Sequence, residues 1–294
     1  MTKDNFEDLL NKIHKEKCID FLKSLPDCCI DVVVTSPPYN LGNINRSENP
    51  KRPTRNAENI ADSSRNMKLF NEGYSDFDDC LPYSQYVQQQ RTLLKEMIRC
   101  LTPEGAIFYN TKWRLYGGLL DDLHLITEDF PLRQIIIWNK FSTMSYSNTF
   151  LLPKYEVIYL FCKGGEESTL KFKKEGILLG DIWEFAGDRD NKHPAPFPLQ
   201  LPYNAISAVE NNGKKLTVYD PYFGSGTTGV AAELCGYNWI GTDISDTYIE
   251  MAYKRIAKNK IQSELQYLEK VEEAKNFKLF DNKNQDIKVK QIAF

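Results

Sequence analysis

The sequence lacks a hydrophobic run long enough to cross a bilayer, since no apolar segment approaches the ~20 residues that a transmembrane helix requires. Histidine is scarce, because His14, His124 and His193 are the only three, and their spacing does not fit a zinc site. The seven cysteines include no CxxC pair, which favours reduced thiols over a disulfide framework. The first ten residues have no signal-peptide or transit-peptide features. These absences predict a cytoplasmic protein that acts without a membrane or a bound metal.

What is present is a globular composition. The 294 residues are 41% hydrophobic and 12% aromatic, which is enough for one large α/β domain. The net charge of −3 argues mildly against a nucleic-acid partner, but it hides a basic segment between residues 43 and 68. A DNA-binding enzyme needs positive charge only where phosphates lie. The candidate phosphate contacts in this segment are Arg46, Lys51, Arg52, Arg55, Arg65 and Lys68.

Hydrophobic patterning predicts strands that alternate with helices, which is typical of a doubly wound α/β sheet. Strands are predicted at residues 31–35, 106–110, 134–138, 156–162, 216–220 and 239–243. Helices are predicted at residues 83–101, 116–126, 199–210, 227–235 and 246–257. The strands at 134–138 and 156–162 are expected to form the far edge of the sheet, and residues 163–192 are less regular.

The segment from Asp220 to Gly229 has the features of a strand-to-helix turn that binds a small ligand. Gly224 and Gly226 let the backbone approach a ligand closely, and the following helix offers free N–H groups to an anion. Asp243 ends the next predicted strand, where dinucleotide-type folds place an acid that binds ribose hydroxyls. The segment has neither a full GxGxxG pattern nor a P-loop lysine, which disfavours NAD and ATP. An ordinary turn that needs glycine is the alternative.

A second polar segment, Ser36-Pro37-Pro38-Tyr39, follows the predicted strand 31–35 at the same edge of the sheet. Its two prolines end the strand and hold a backbone carbonyl outward. Ser36 Oγ and the Pro37 carbonyl can accept the hydrogens of a planar NH2 group while the Tyr39 ring stacks on it. The alternative is a proline loop with a surface tyrosine.

Together, these segments resemble the catalytic and cofactor motifs of amino-group DNA methyltransferases, which act on cytosine N4 or adenine N6. The catalytic motif comes first, which is the permuted order of the β group of that family, of bacterial restriction–modification type. Similar segments also occur at residues 22–27, 74–76, 101–105, 137–140 and 193–198. The resemblance covers residues 17–40 and 74–257. It implies a permuted, Rossmann-like S-adenosylmethionine-dependent methyltransferase fold with a mostly parallel, seven-stranded sheet.

The resemblance also assigns roles to residues, beginning with Ser36, Pro37, Pro38 and Tyr39 as the catalytic loop. The implied cofactor site comprises Asp220, Phe223, Gly224, Ser225, Gly226, Thr227, Thr228, Asp243, Cys18, Asp20, His193, Phe197 and Pro198. In it, Asp220 is expected to contact the methionyl amino group and Asp243 the ribose. Many relatives have an acidic residue where this chain has Lys17, which cannot accept a hydrogen bond. Asp20 or backbone groups near Cys18 are the candidate substitutes.

The implied reaction moves a methyl group from S-adenosylmethionine to the exocyclic amine of a base flipped out of duplex DNA. No cysteine nucleophile lies in the Ser36–Tyr39 loop, which excludes methylation at cytosine C5. In this family a serine at the position of Ser36 tends to accompany cytosine N4, so N4 is favoured and adenine N6 is the alternative. Two other classes stay open, namely an RNA or protein-glutamine methyltransferase and a non-catalytic nucleic-acid-binding module.

The expected domain organisation follows from the same motifs. Residues 1–262 are predicted to form the catalytic domain and residues 263–294 a C-terminal extension. Residues 41–73 are predicted to be a DNA-contacting loop and residues 141–192 an inserted target-recognition region. Double-stranded DNA is the expected partner. The resemblance leaves open whether a cognate restriction endonuclease accompanies the protein and whether the protein forms a homodimer.

Overall fold

The computed structural model describes residues 6–40, 81–116, 119–141, 151–187 and 197–257. Strands β1 to β10 are, in chain order, Lys12–Lys15, Ile30–Thr35, Leu101–Thr111, Arg114–Tyr116, Leu119–Asp121, Leu132–Asn139, Tyr155–Phe161, Ile182–Glu184, Thr217–Asp220 and Asn238–Asp243. Helices α1 to α7 are Cys18–Ser24, Tyr83–Cys100, His124–Thr127, Lys174–Leu179, Gln200–Ala208, Thr227–Leu234 and Asp246–Ile256. Within these ranges, no helix combines the length and the apolar character that a membrane span requires.

The main sheet has the strand order β1-β10-β9-β2-β3-β7-β6-β8. Every neighbouring pair is parallel except the two pairs that β7 makes with β3 and β6. The prediction of a doubly wound, mostly parallel sheet is therefore confirmed. The predicted far edge is wrong, because β8 lies outside β6 and adds an eighth strand.

Two hydrophobic layers cover the two faces of this sheet. Successive side chains of a strand point to opposite faces, so Val32 and Val34 of β2 belong to the layer that contains α5 and α6. Val33 belongs to the other layer, together with residues of α1 and α2. Burial on both faces explains why β2 is a continuous apolar run rather than an alternating one.

The helix predicted at residues 116–126 is wrong. Strands β4 and β5 pair there as an antiparallel hairpin, and the short helix α3 begins only at His124. The sequence between the two strands is Gly117-Gly118, and glycine has a low helix propensity. The Asp122 carboxylate then accepts the backbone N–H of His124 at 3.0 Å. This bond satisfies a donor in the first turn and fixes where the helix starts.

Asp31 joins three strands at the edge of the sheet opposite to the two predicted loops. Its carboxylate accepts the backbone N–H of Thr217 at 2.8 Å and the Thr102 hydroxyl at 3.1 Å. Burial raises the pKa of Asp31, and these two hydrogen bonds partly offset that shift. Strand β3 therefore begins at Leu101, earlier than predicted, with a register irregularity opposite Ile30–Val32 that accommodates Pro103.

Candidate active site

The two chemistry-bearing loops lie next to each other. Strands β2 and β9 are parallel neighbours, with Val33 opposite Tyr219, so the Ser36–Tyr39 loop and the loop after Asp220 leave the sheet side by side. Ligands of open α/β sheets bind in a crevice outside the carboxyl ends of the strands. The architecture thus brings both predicted loops to the edge of the sheet where a ligand site is expected.

Local hydrogen bonds fix the shape of the catalytic loop. The carbonyl of Pro38 accepts the hydroxyl of Tyr86, from α2, at 3.1 Å. Asn40 ends the loop at a positive φ of 55°, a conformation that asparagine tolerates, and its side-chain amide donates to the Leu81 carbonyl at 2.8 Å. Ser36 Oγ and the Tyr39 hydroxyl are 2.8 Å apart and share a hydrogen bond. This hydrogen bond holds the serine and the tyrosine of the motif in a fixed relative position.

Three residues that the sequence analysis did not single out surround these hydroxyls. Asn110, near the end of β3, places its amide nitrogen 3.3 Å from Ser36 Oγ and 3.1 Å from the Tyr39 hydroxyl. The same nitrogen lies 3.0 Å from a carboxylate oxygen of Glu156, at the start of β7. Lys140, directly after β6, pairs with the other oxygen of Glu156 at 2.7 Å. The sequence does contain a signal for Asn110 and Glu156, because each is a polar residue next to the buried part of a strand, Asn110 near the end of β3 and Glu156 near the start of β7.

Asp220 ends β9 with a fully buried carboxylate. One oxygen accepts the Thr228 hydroxyl at 2.6 Å, and the other accepts the backbone N–H of Tyr222 at 3.0 Å. Burial raises the pKa of Asp220 to about 7, although both hydrogen bonds lower it. A buried acid that is already oriented by two donors is suited to bind a cationic group of a ligand.

Gly226 and Phe223 in this loop pack against other parts of the protein. Gly226 adopts a φ of 81°, and a Cβ there would lie 2.9 Å from the Cβ of Ala252 in α7. The close approach that requires this glycine is thus to α7. Gly224 also has a positive φ, of 50°. The Phe223 ring stacks on Trp239 at 5.2 Å and covers Gly241, so it packs in the core; its contact with a cofactor stays a prediction.

The hydroxyls of Ser225 and Thr227 both accept hydrogen bonds from Arg255, on α7. The Thr227 oxygen lies 2.5 Å from the guanidinium and the Ser225 oxygen 3.4 Å. Sequence reasoning missed Arg255, which sits 28 residues after Thr227. The N–H groups of the first turn of α6 have no partner within the helix, so they are the groups that this end of the loop can offer to an anion.

Asp243 lies at the end of β10, next to the Asp220 loop. Its two carboxylate oxygens accept the backbone N–H groups of Gly224 at 2.8 Å and Ser245 at 2.9 Å. Strand β1 runs parallel to β10 with Lys15 opposite Asp243, so α1, which begins at Cys18, starts beside this acid. Burial raises the pKa of the Cys18 thiol to about 11, which keeps it neutral.

The remaining predicted site residues are placed only in part. Asp20 is exposed in the first turn of α1. Pro198 is buried and Phe197 packs against the core, just before α5. Outside the described residues lie His193 and the basic residues Arg46, Lys51, Arg52, Arg55, Arg65 and Lys68. The division into a catalytic domain, loops and extension is likewise still a prediction.

Comparison with known proteins agrees with this arrangement. The N6/N4 methyltransferase family model, described as DNA methylase, matches residues 30–254, which include both loops and the strands between them. The chain belongs to this family of DNA methylases. It is therefore a DNA methyltransferase of the amino-group type, and the restriction–modification resemblance that the motifs carry is confirmed.

Individual relatives have low sequence identity to this methylase but align with most of its length. It is 26% identical over 278 residues to the type II methyltransferase M.HinfI of Haemophilus influenzae, spanning 87% of this chain and 71% of the relative. It is also 26% identical over 261 residues to M.HpaI of Haemophilus parainfluenzae, spanning 81% and 71%. Among solved structures, the cytosine-N4-specific PvuII DNA methyltransferase has a TM-score of 0.60 at 19% identity, over 85% of this chain and 89% of that one. At this identity the structural likeness shows a shared fold.

A second solved structure is a DNA modification methylase from Thermus thermophilus in complex with S-adenosyl-L-methionine. It has a TM-score of 0.55 at 21% identity and covers 85% of this chain and 95% of that one. The fold of this methylase is thus the α/β fold of DNA methyltransferases, as the motifs predicted.

Proposed function

We propose that this methylase transfers a methyl group from S-adenosylmethionine to the N4 amino group of cytosine in duplex DNA. The observation that carries the proposal is the pair of hydroxyls, Ser36 and Tyr39, held 2.8 Å apart beside the loop that follows Asp220. One loop provides acceptors and an aromatic face for a planar amine. The other provides a buried acid and a helix N-terminus for the cofactor.

The residues around Asp220 fit the methionyl end and the ribose of S-adenosylmethionine. The oriented Asp220 carboxylate suits the ammonium group, the first turn of α6 suits the carboxylate, and Asp243 suits the ribose hydroxyls. When bound, S-adenosylmethionine supplies a methyl group on a sulfonium sulfur, which keeps the C–S electron pair as the new N–C bond forms.

The chain itself has to activate a weak nucleophile. The lone pair of an exocyclic amine is delocalised into the base, so the amine attacks poorly while it is planar. Ser36 Oγ and the Pro37 carbonyl accept hydrogen bonds from its two N–H groups. These bonds draw the hydrogens out of the plane of the base, which frees the lone pair for in-line attack. Once the N–C bond has formed, the amine loses one proton to solvent. Until then, Ser36 Oγ accepts a hydrogen bond from the amine. Positioning and electrostatics supply most of the acceleration.

The first residue of the motif favours cytosine over adenine. It is Ser36, the residue that the family resemblance associates with cytosine N4. Adenine N6 is the alternative because it presents an amine to the same acceptors.

The proposal is tested by methyl transfer from cofactor labelled in its methyl group. Duplex DNA, tRNA and a protein mixture are offered in parallel to the wild-type enzyme and to Ser36→Ala. Label in DNA alone, reduced by Ser36→Ala, is the expected result. Label in RNA or protein with none in DNA would overturn the proposed substrate, and undiminished transfer by Ser36→Ala would overturn the proposed role of the loop.

A further inference from the structure

The carboxylate of Glu156 lies at the centre of a polar cluster that the proposed chemistry does not yet use. It is held by elements far apart in sequence, namely the start of β7, the end of β3 and the residue after β6. One carboxylate oxygen lies 3.0 Å from the Asn110 amide nitrogen and 3.4 Å from the Tyr39 hydroxyl. The other lies 2.7 Å from the Lys140 ammonium group.

A carboxylate that is ionised can only accept hydrogen bonds, and this fixes the direction of the others. The Tyr39 hydroxyl donates to Glu156, so the Tyr39 oxygen accepts the hydroxyl hydrogen of Ser36 across their 2.8 Å separation. Ser36 Oγ then has two lone pairs to offer. One faces the Asn110 amide at 3.3 Å, which leaves the other for a hydrogen of the target amine.

Glu156 also decides which way the Asn110 side chain points. With its nitrogen toward Glu156, the buried Asn110 Oδ1 has no hydrogen-bond partner among the residues that the structure describes. The flipped side chain would instead set Oδ1 against the carboxylate, acceptor against acceptor. The charge-assisted bond from the amide to Glu156 outweighs the unmet acceptor. The amide nitrogen therefore faces both hydroxyls.

Lys140 supplies the counter-charge that such a site requires. The side chains of Lys140 and Glu156 are only 18% and 12% exposed, and a carboxylate withdrawn from water to this extent needs a paired cation. Lys140 thereby balances the charge of the acceptor at the end of the hydrogen-bond chain.

We infer that Glu156 is a positioning residue for methyl transfer, which acts through Tyr39 and Asn110 to hold Ser36 Oγ as an acceptor for the amine of the target base. This inference rests on the proposed function of the Ser36–Tyr39 loop. Glu156 itself does not contact the base. Its removal should affect the chemical step and leave cofactor binding alone.

The test is a double-mutant cycle of Glu156→Gln and Tyr39→Phe, measured as single-turnover methyl transfer to duplex DNA with saturating cofactor. Glu250→Gln is the matched control, because Glu250 is an exposed acid on α7 whose carboxylate also pairs with a lysine, Lys254. Glu156→Gln should slow transfer about tenfold or more while the control stays at the wild-type rate, and cofactor affinity should change less than about twofold. In the Tyr39→Phe background, Glu156→Gln should cost less than about threefold.

Asn110→Ala provides a second arm that leaves the Glu156–Lys140 pair intact, in case Glu156→Gln does not fold. It should also slow single-turnover transfer and be coupled to Tyr39→Phe. A wild-type rate for Glu156→Gln, or equal losses in both Tyr39 backgrounds, would overturn the inference while methylation by the wild-type enzyme still stands. Absence of DNA methylation by the wild-type enzyme would instead overturn the proposed function.

Discussion

The Thr228 hydroxyl donates to Asp220 Oδ2 at 2.6 Å and so joins the end of β9 to the first turn of α6. The backbone N–H of Tyr222 holds the other oxygen of the same carboxylate at 3.0 Å. These two bonds orient the Asp220 carboxylate, and its burial makes the charged form costly. The Asp220 loop offers no cation to balance this carboxylate. We therefore expect Asp220 to bind the ammonium group of the cofactor.

Asp220→Asn should weaken binding of S-adenosylmethionine at least about tenfold, because a hydrogen bond to a charged group contributes about 1.5–3 kcal/mol. The fold should persist, since asparagine has the same shape, its Oδ1 can accept the backbone N–H of Tyr222 and its amide can donate to the Thr228 hydroxyl. Titration calorimetry measures the affinity and thermal unfolding checks the fold. An unchanged affinity would show that the cofactor binds elsewhere.

Cofactor affinity should rise with pH between about 6 and 7.5. The pKa of Asp220 is raised to about 7, so the carboxylate becomes an anion over this range and attracts the ammonium group of the cofactor more strongly. Calorimetry at several pH values measures the trend. Asp220→Asn should show no such rise, and a parallel rise in that variant would assign the pH dependence to another group.

The free energy of unfolding of the ligand-free protein should fall as pH rises, which is opposite to the trend expected for cofactor affinity. The pKa of Asp220 is raised in the folded protein from 3.8 to about 7, so between these values the folded state binds the proton more tightly. The unfolding free energy therefore falls as pH rises through this window. Burial raises the pKa of Asp31 as well, which acts in the same direction. Denaturant unfolding of wild type and Asp220→Asn isolates the Asp220 part, and identical pH profiles would contradict it.

Arg52→Ala combined with Arg55→Ala should weaken DNA binding and reduce the slope of log K against log salt by about two. The reason is that each arginine is expected to neutralise one phosphate in the basic segment 43–68. Fluorescence anisotropy with labelled duplex at several salt concentrations measures the slope. The exposed surface cations Lys12 and Lys254, changed together to alanine, form the control. Equal slopes for the two double variants would argue against a DNA-contacting loop.

Tyr39→Ala should reduce kcat/KM for DNA methylation by about ten- to a hundredfold, because base–aromatic stacking contributes about 1–3 kcal/mol. Tyr39→Phe keeps the ring and loses only the hydroxyl, so its loss should be smaller and confined to the chemical step. Cofactor affinity should stay at the wild-type value in both. If the two variants lost activity equally, the hydroxyl network and not the ring face would be the essential part of Tyr39.

The parts of the site that sequence reasoning found are contiguous in the chain. In Ser36–Tyr39 the end of a strand is followed by prolines, and in Asp220–Gly226 it is followed by glycines. A short stretch of sequence therefore predicts both the chemical groups and the backbone geometry that presents them. The Asn110, Lys140 and Glu156 cluster is different, because its members meet only through the antiparallel register of β7 with β3 and β6. A sequence pattern does not contain that register.

The fold shows the same division. The long helix α2 and strands β2, β9 and β10 have strong periodicity or buried apolar runs, and they were predicted within about two residues. Strands β4, β5 and β8 have three residues each, too few to show a period, and all three were missed. Arg255 was missed for another reason, because a cation on an amphipathic helix is usually solvated and its bond to Thr227 depends on how α7 packs on Gly226.

The most direct test of the central claim is mass spectrometry of nucleosides digested from duplex DNA after incubation with the enzyme and S-adenosylmethionine. The account predicts N4-methylcytosine, with none formed by Ser36→Ala beyond a small residual rate. N6-methyladenine in its place would preserve the mechanism and contradict the choice of base. Formation of 5-methylcytosine would contradict the account itself, because the Ser36–Tyr39 loop holds no nucleophile for attack at a ring carbon.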